Sequence, residues 1–248
     1  GIVCMIATAN IQYAWTLFVP EIQKSFGWER ASIQIAFTIF VLVQTWLAPI
    51  EGYFIDKFGP RLIVAFGAVF IGAAWVINSQ ATTLLGFYIG AAVGGIGVGS
   101  IYATCINNAL KWFPDRRGLA VGLTAGGYGA GSAATILPIA AMIESSGFQE
   151  AFFFFGVMQG SLAFLAAWFL RAPKAHEIRA SAKLTQSRRD YTLKEALNTR
   201  LFWLMLLMFS CVVTGGMMAV AQLGVIAQDL GVDRKSTRLN SSHDQSSY

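Results

Sequence analysis

The sequence predicts an all-α protein that crosses a membrane several times. Apolar residues make up 55% of its 248 positions and charged residues 12%, about half of the roughly 25% usual in soluble domains. Mean hydropathy is +0.56. Apolar runs of about 20 residues, the length that covers about 30 Å of hydrocarbon, recur seven times along the chain, near 1–19, 31–55, 62–78, 82–110, 118–143, 150–170 and 200–228.

The first run opens at Gly1 with no charged flank, so the amino-terminal lead-in is expected to be missing. It ends at Pro20 with no small-residue cleavage site and does not read as a signal peptide. Asn10, Tyr13 and Thr16 align on one side of it, with Gln12 beside them. The second run carries Gln34, Thr38 and Thr45 in the same manner and ends near Glu51. Glu51 reads as a residue of the cytoplasmic interface, with proton coupling as the alternative.

A tight turn follows, Gly52-Tyr-Phe-Ile-Asp56-Lys57-Phe-Gly59-Pro60-Arg61. It has the parts of a charged latch. Gly52 would let a neighbouring helix approach, Gly59 and Pro60 would make the turn, and Asp56 would meet a helix N-terminus or an arginine across the bundle. The third run, the shortest, shows no polar face from Leu62 to Ile77, which argues against a core helix of a soluble protein.

The fourth run holds Gly90-x-x-x-Gly94 and Gly95-x-Gly97-x-Gly99. This is not the G-x-G-x-x-G spacing of a nucleotide loop and no strand precedes it, so close helix packing is expected. Lys111-Trp-Phe-Pro114-Asp115-Arg116-Arg117-Gly118 then ends one helix and starts the next. On the fifth run Thr124, Tyr128, Ser132 and Thr135 fall within about 80° of one another at about 100° per residue. Gly118, Gly122, Gly126 and Gly129 cluster opposite, as a face for close packing. Each small polar residue is either part of a pathway or interhelical glue worth about 0.6 kcal/mol.

After the sixth run comes the one long polar connector, 171–199, which reads as a cytoplasmic linker. Within it 191–198 is either a short amphipathic surface helix or a solvated loop. A seventh span follows over 200–232. From Asp233 the character changes abruptly, and 233–248 is either a non-native tail or a disordered terminus. The loops after the second, fourth and sixth runs hold thirteen Lys and Arg, the opposite loops only Lys24 and Arg30. That bias places the even-numbered loops in the cytoplasm.

Cys4, Cys105 and Cys211 lie in separate apolar runs, and His176 and His243 lie in the connector and the tail. None has metal or redox spacing, and no enzyme constellation is present. No metal, cofactor or nucleic-acid partner is expected.

The turn at 52–61 matches the loop signature of the major facilitator superfamily, G-x-x-x-D-[RK]-x-G-[RP]-[RK], at every position and after two spans. More narrowly, Gln12-Tyr13-Ala-Trp15-Thr16-Leu17-Phe18, WFPDRRGLA over 112–120 and Ala125-Gly-Gly-Tyr128-Gly-Ala-Gly131 together resemble the oxalate/formate antiporter family of that superfamily, from about 5 to 230. The resemblance implies a six-helix N-terminal bundle over 1–170, the linker, and the first helix of a C-terminal bundle that is otherwise missing. It implies alternating access in a multi-pass protein of the plasma membrane, the inner membrane of a bacterium, with lipid around it.

By the same resemblance, Gln12, Tyr13, Tyr102 and Tyr128 would contact the substrate, a small carboxylate such as oxalate or formate. Their hydroxyls and amide can donate hydrogen bonds to carboxylate oxygens without carrying charge. Gly52, Asp56, Lys57, Gly59, Arg61, Asp115, Arg116 and Arg117 would form the gate, with Asp56 pairing Arg116 or Arg117. The family's substrate-neutralising cations lie on the eighth and eleventh helices, beyond this chain. The alternatives are a carrier of sugars or drugs from the same superfamily and, disfavoured by the latch and the long linker, a seven-helix receptor.

Overall fold

The computed structural model describes residues 1–174 and 193–229, with side chains placed at 1–174 and 195–215. The chain divides into two units, Gly1–Leu184 and Thr185–Tyr248. The described residues are helical with no strand, as the composition predicts. Among the described residues five helical stretches, Ile2–Phe26, Ala48–Gln80, Leu84–Trp112, Arg117–Ser146 and Phe148–Ala167, are long and apolar enough to cross a membrane. The protein is a multi-pass membrane protein.

In the first unit, α1 (Ile2–Thr8), α2 (Asn10–Tyr13) and α3 (Trp15–Phe26) follow one another with single-residue breaks at Ala9 and Ala14. The sequence places the end of this span at Pro20, but α3 runs through Pro20 to Phe26. Phe18, Val19 and Ile22 are all buried, so tertiary packing on both sides of the proline carries the helix past it, as membrane helices tolerate. The stop is Gly27, at φ 69°, whose N–H bonds the Gln23 carbonyl at 2.8 Å. This is the left-handed glycine cap.

Next come α4 (Arg30–Trp46) and α5 (Ala48–Gln80), parted only at Leu47, just before Pro49. Helix α5 is itself two rods: Gly59 has φ 79° and ψ 167°, and Pro60 starts the second rod. A side chain at that φ would be strained, and proline's fixed φ suits the first turn of a helix. The turn expected at Gly59 and Pro60 is therefore where the chain reverses.

Helix α6 (Leu84–Trp112) starts at Thr83, whose hydroxyl oxygen accepts from the Gly86 N–H at 3.2 Å. Its glycines pack as the sequence reading expects. A Cβ at Gly97 would stand 2.8 Å from the Gly67 carbonyl oxygen, and one at Gly67 would stand 2.8 Å from the Gly97 carbonyl oxygen. A Cβ at Gly95 would meet the Phe40 carbonyl oxygen at 2.7 Å. Lipid tails are as apolar as leucine, so backbone proximity rather than apolar burial holds such helices together.

Helices α7 (Arg117–Ser146) and α8 (Phe148–Ala167) are joined at Gly147. Here the structure corrects the reading of α7. Gly118, Gly122, Gly126 and Gly129 face open space within this unit, with nothing within 4 Å of an added Cβ. Gly127 and Gly131 instead meet Ile2 and Ile6 of α1. The buried face of α7 is also its polar face, because Thr124, Tyr128 and Ser132 lie on the same side as Gly127 and Gly131.

At the end of the unit away from the latch, Phe18 stacks on Phe152 at 3.8 Å and meets Trp75 edge-on at 5.8 Å. Phe26 stacks on Trp28 at 4.3 Å and meets Phe87 and Phe148 edge-on. These aromatic contacts tie α3, α5, α6 and α8 at one end, each pair adding about 0.5–1.5 kcal/mol beyond area burial.

The second unit contains α9 (Leu193–Leu197) and α10 (Arg200–Asp229). The Trp203 indole donates to the Leu197 carbonyl at 2.8 Å, across the turn between them. The short helix considered over 191–198 corresponds to α9, with 191–192 outside the described residues. Most of the connector and the whole of 233–248 also lie outside them.

Candidate functional site

Four side chains singled out by the sequence come together from three helices. Gln12 and Tyr13 stand on α2, Tyr102 on α6 and Tyr128 on α7. The Tyr128 hydroxyl donates to Gln12 Oε1 at 2.9 Å. Its ring meets Tyr13 edge-on at 5.5 Å and Tyr102 edge-on at 5.6 Å. Tyr128 is the pivot, 5% exposed, whereas Tyr102 is 37% exposed and Gln12 and Tyr13 are half-buried.

The glycines explain why α7 can supply this pivot. Gly127 and Gly131 flank Tyr128 by one residue and three, and both rest on α1, so α7 and the first span approach closely enough for a tyrosine to reach Gln12. Chemically the cluster offers phenolic hydroxyls and an amide. It can orient an anion's oxygens, but it holds no cation to neutralise one.

The remaining polar stripes are not part of this cluster. Thr124, Ser132 and Thr135 bond back to carbonyls of α7 at 2.7 Å each. Thr16 bonds the Tyr13 carbonyl and Thr38 the Gln34 carbonyl, while Gln34 accepts from the Trp15 indole at 3.3 Å. Asn10 is buried, with both side-chain polar atoms unpartnered. Among these polar residues, side chain meets side chain only between Tyr128 and Gln12 and between Trp15 and Gln34.

At the latch, Asp56 Oδ1 pairs with Lys111 Nζ at 2.9 Å. The sequence reading had Arg116 or Arg117 in that role. Lys111 lies in the last turn of α6, whereas Arg116 caps α7 beyond Pro114, so the lysine has the shorter path to α5. Both partners are substantially exposed, Lys111 47% and Asp56 73%, and such a pair is worth at most about 1 kcal/mol.

Gly52 has nothing within 4 Å of an added Cβ, so the close helix approach expected there is not made within this unit. Arg61 donates from Nε to the Leu170 carbonyl at 3.3 Å and lies over the Trp168 ring at 5.9 Å. Lys57 lies over Phe58 at 5.5 Å. Asp115 and Arg116 line a cavity of about 530 Å³ with Trp112, Phe113 and Leu119. The Trp112 indole donates to the Arg171 carbonyl at 2.9 Å, and the Arg171 guanidinium lies 4.7 Å over its ring.

For Glu51 the sequence leaves two readings, an acid of the cytoplasmic interface or a proton-coupling group. Glu51 lies buried between α5 and α6, 6% exposed, and Ser100 Oγ donates to its Oε1 at 3.1 Å. Its side chain is enclosed by protein and does not face solvent. Its sequence signal was an acid five residues before Asp56, and only the register of α6 shows it to be enclosed. Among the described residues no three of His, Cys, Asp or Glu converge on one point.

Comparison with known proteins places these features in context. The model of the Major Facilitator Superfamily matches residues 1–242. An oxalate:formate antiporter of Oxalobacter formigenes is 34% identical over 231 residues, covering 93% of this chain and 54% of that protein. A probable sulfoacetate transporter of Cupriavidus necator is 25% identical over 193 residues, 75% of this chain and 44% of its own. Monocarboxylate transporter 11 of Homo sapiens is 24% identical over 143 residues, 57% of this chain and 30% of its own. The chain spans about half the length, or less, of these curated relatives.

Proposed function

Because the chain belongs to the major facilitator superfamily, whose members here are transporters and not enzymes, we propose that it is the first half of a carrier of small carboxylates. In this reading 1–170 forms a six-helix bundle, 171–199 links it to a second bundle, and 200–232 is that bundle's first helix. The whole protein works by alternating access in a bacterial inner membrane. Substrate sits between the bundles, in contact with Gln12, Tyr13, Tyr102 and Tyr128.

The observation that carries this reading is the convergence of three tyrosines and an amide on one hydrogen bond, Tyr128 to Gln12 at 2.9 Å. The cluster supplies directional donors and acceptors and no fixed charge, which suits the neutral half of a carboxylate site. The relative of Oxalobacter formigenes supports oxalate and formate as substrates, and the other two support carboxylates and sulfonates in general. An anion drawn from water into a bilayer needs countercharge, and the spans before the linker carry no Lys or Arg in their interiors. The cations are accordingly assigned to the second bundle.

The exposed Asp56–Lys111 pair supports a gate at the cytoplasmic side. Both partners belong to the first bundle, and a pair this weak frees Asp56 at little cost to meet the second bundle. Lys57, Arg61, Asp115, Arg116 and Arg117 complete the charged ring, with Gly52 and Gly59 shaping its turn.

Ligand-dependent melting of the purified full-length protein tests the substrate class, because anything that binds only the folded state stabilises it. Oxalate and formate are expected to raise the melting temperature and neutral sugars to leave it unchanged. Stabilisation by sugars alone would replace the reading with a sugar carrier.

A further inference from the structure

A carboxyl group in the membrane-crossing part of this protein has no role in the reading above. Glu51 stands on the first rod of α5, one and a half turns before Asp56, and is 6% exposed. Ser100 Oγ of α6 donates to Oε1 at 3.1 Å, while Oε2 is enclosed and has no partner. The space it occupies is the space that Gly99 leaves open. A Cβ at position 99 would stand 2.8 Å from Oε1, 2.9 Å from Oε2 and 3.2 Å from the Gln44 carbonyl oxygen.

Among the described residues, the charged groups around it do not neutralise it. On its own helix Asp56 is engaged by Lys111, and Lys57 and Arg61 lie beyond it against Phe58 and Trp168. On α6 the charged residue is Lys111, at the far side of the latch, and on α4 it is Arg30, at the opposite end of the helix. The second rod of α5 presents Leu62, Ile63 and Phe66 to the same cavity. Among the described residues an ionised carboxylate here finds no cation and no second donor, and burial of an unpaired charge is strongly disfavoured. A carboxylic acid needs only one acceptor for its O–H, and a carbonyl oxygen, which has two lone pairs, borders the same space.

We propose that Glu51 is a proton-binding site, protonated in the packed arrangement of α5 and α6 described here and ionised only when water reaches it. Loading adds one proton from the aqueous phase to the carboxylate, and release returns it to water as the carboxylate becomes hydrated. Proton coupling of transport rests on the transporter reading above; the protonation itself does not.

Infrared difference spectroscopy of the full-length protein at neutral pH, wild type against Glu51→Gln, tests the site directly. The protonated-carboxyl C=O band is expected to disappear in Glu51→Gln, and Ser100→Ala is expected to shift that band without removing it. Loss of a carboxylate band instead, or a C=O band unmoved by Ser100→Ala, would overturn the proposal. In proteoliposomes with an enclosed pH-sensitive dye, substrate movement is expected to be accompanied by proton movement in wild type and not in Glu51→Gln. Exchange without proton movement in wild type would overturn the coupling. A preparation that moves neither oxalate nor formate yet keeps the band supports the site and contradicts the carboxylate reading.

Discussion

Tyr128 donates its hydroxyl hydrogen to Gln12 Oε1 at 2.9 Å, joining α7 to α2 between residues 116 positions apart in the chain. Tyr13 and Tyr102 both meet the Tyr128 ring edge-on, so one side chain organises the neutral face of the proposed site.

Replacing Tyr128 by Phe removes the hydroxyl and keeps the ring. The fold is expected to survive, while the KM for oxalate exchange in the full-length protein rises about tenfold, equivalent to about 1.4 kcal/mol. The kinetics of proteoliposome uptake check this. An unchanged KM removes Tyr128 from the site.

Asp56→Asn breaks the pair with Lys111. Because both side chains are exposed, the melting temperature should barely move, since such a pair contributes at most about 1 kcal/mol. The balance of conformations should shift instead. Faster labelling of a cysteine introduced on the cytoplasmic side of the cavity is the expected result, and a rate equal to that of the parent protein contradicts the latch.

Gly97→Ala forces a methyl onto the Gly67 carbonyl oxygen at 2.8 Å. Backbone atoms cannot give way as a flexible side chain can, so a loss of about 1–3 kcal/mol is expected. Gly52→Ala, with nothing within 4 Å, should leave packing in this unit intact. Thermal unfolding of both variants in detergent distinguishes them, and equal melting temperatures would show the α5–α6 approach to be looser than described.

Gly59→Ala places a side chain at φ 79° and ψ 167°, a region essentially reserved for glycine, where other residues are strained by about 1–3 kcal/mol. The turn between the two rods of α5 should be disturbed more than by Gly52→Ala, seven residues earlier in the same motif. Protease accessibility of the loop, increased in Gly59→Ala alone, is the expected outcome.

Much of this fold is legible because lipid simplifies the code. Continuous apolar runs mark the helices, and Gly59 with Pro60 marks the turn inside α5. What escapes is register. Pro20 reads as an end, yet packing of Val19 and Ile22 carries α3 beyond it. The glycines of α7 lie on two faces, and only the position of α1 shows that Gly127 and Gly131 are the packed pair. Lys111 rather than Arg116 reaches Asp56 because α6 ends where it does. Glu51 looks like an interface acid until Gly99 and Ser100 close over it. The site itself was named on motif strings, and the contacts among Gln12, Tyr13, Tyr102 and Tyr128 depend on three helices meeting.

The most direct measurement is uptake of labelled formate by proteoliposomes that contain the full-length protein and are loaded with oxalate. Uptake that requires internal oxalate, and that falls in Gln12→Ala and Tyr128→Phe, is the predicted result. Uptake equal in loaded and empty vesicles, or equal in wild type and both variants, would contradict a carboxylate carrier whose neutral face is the cluster around Tyr128.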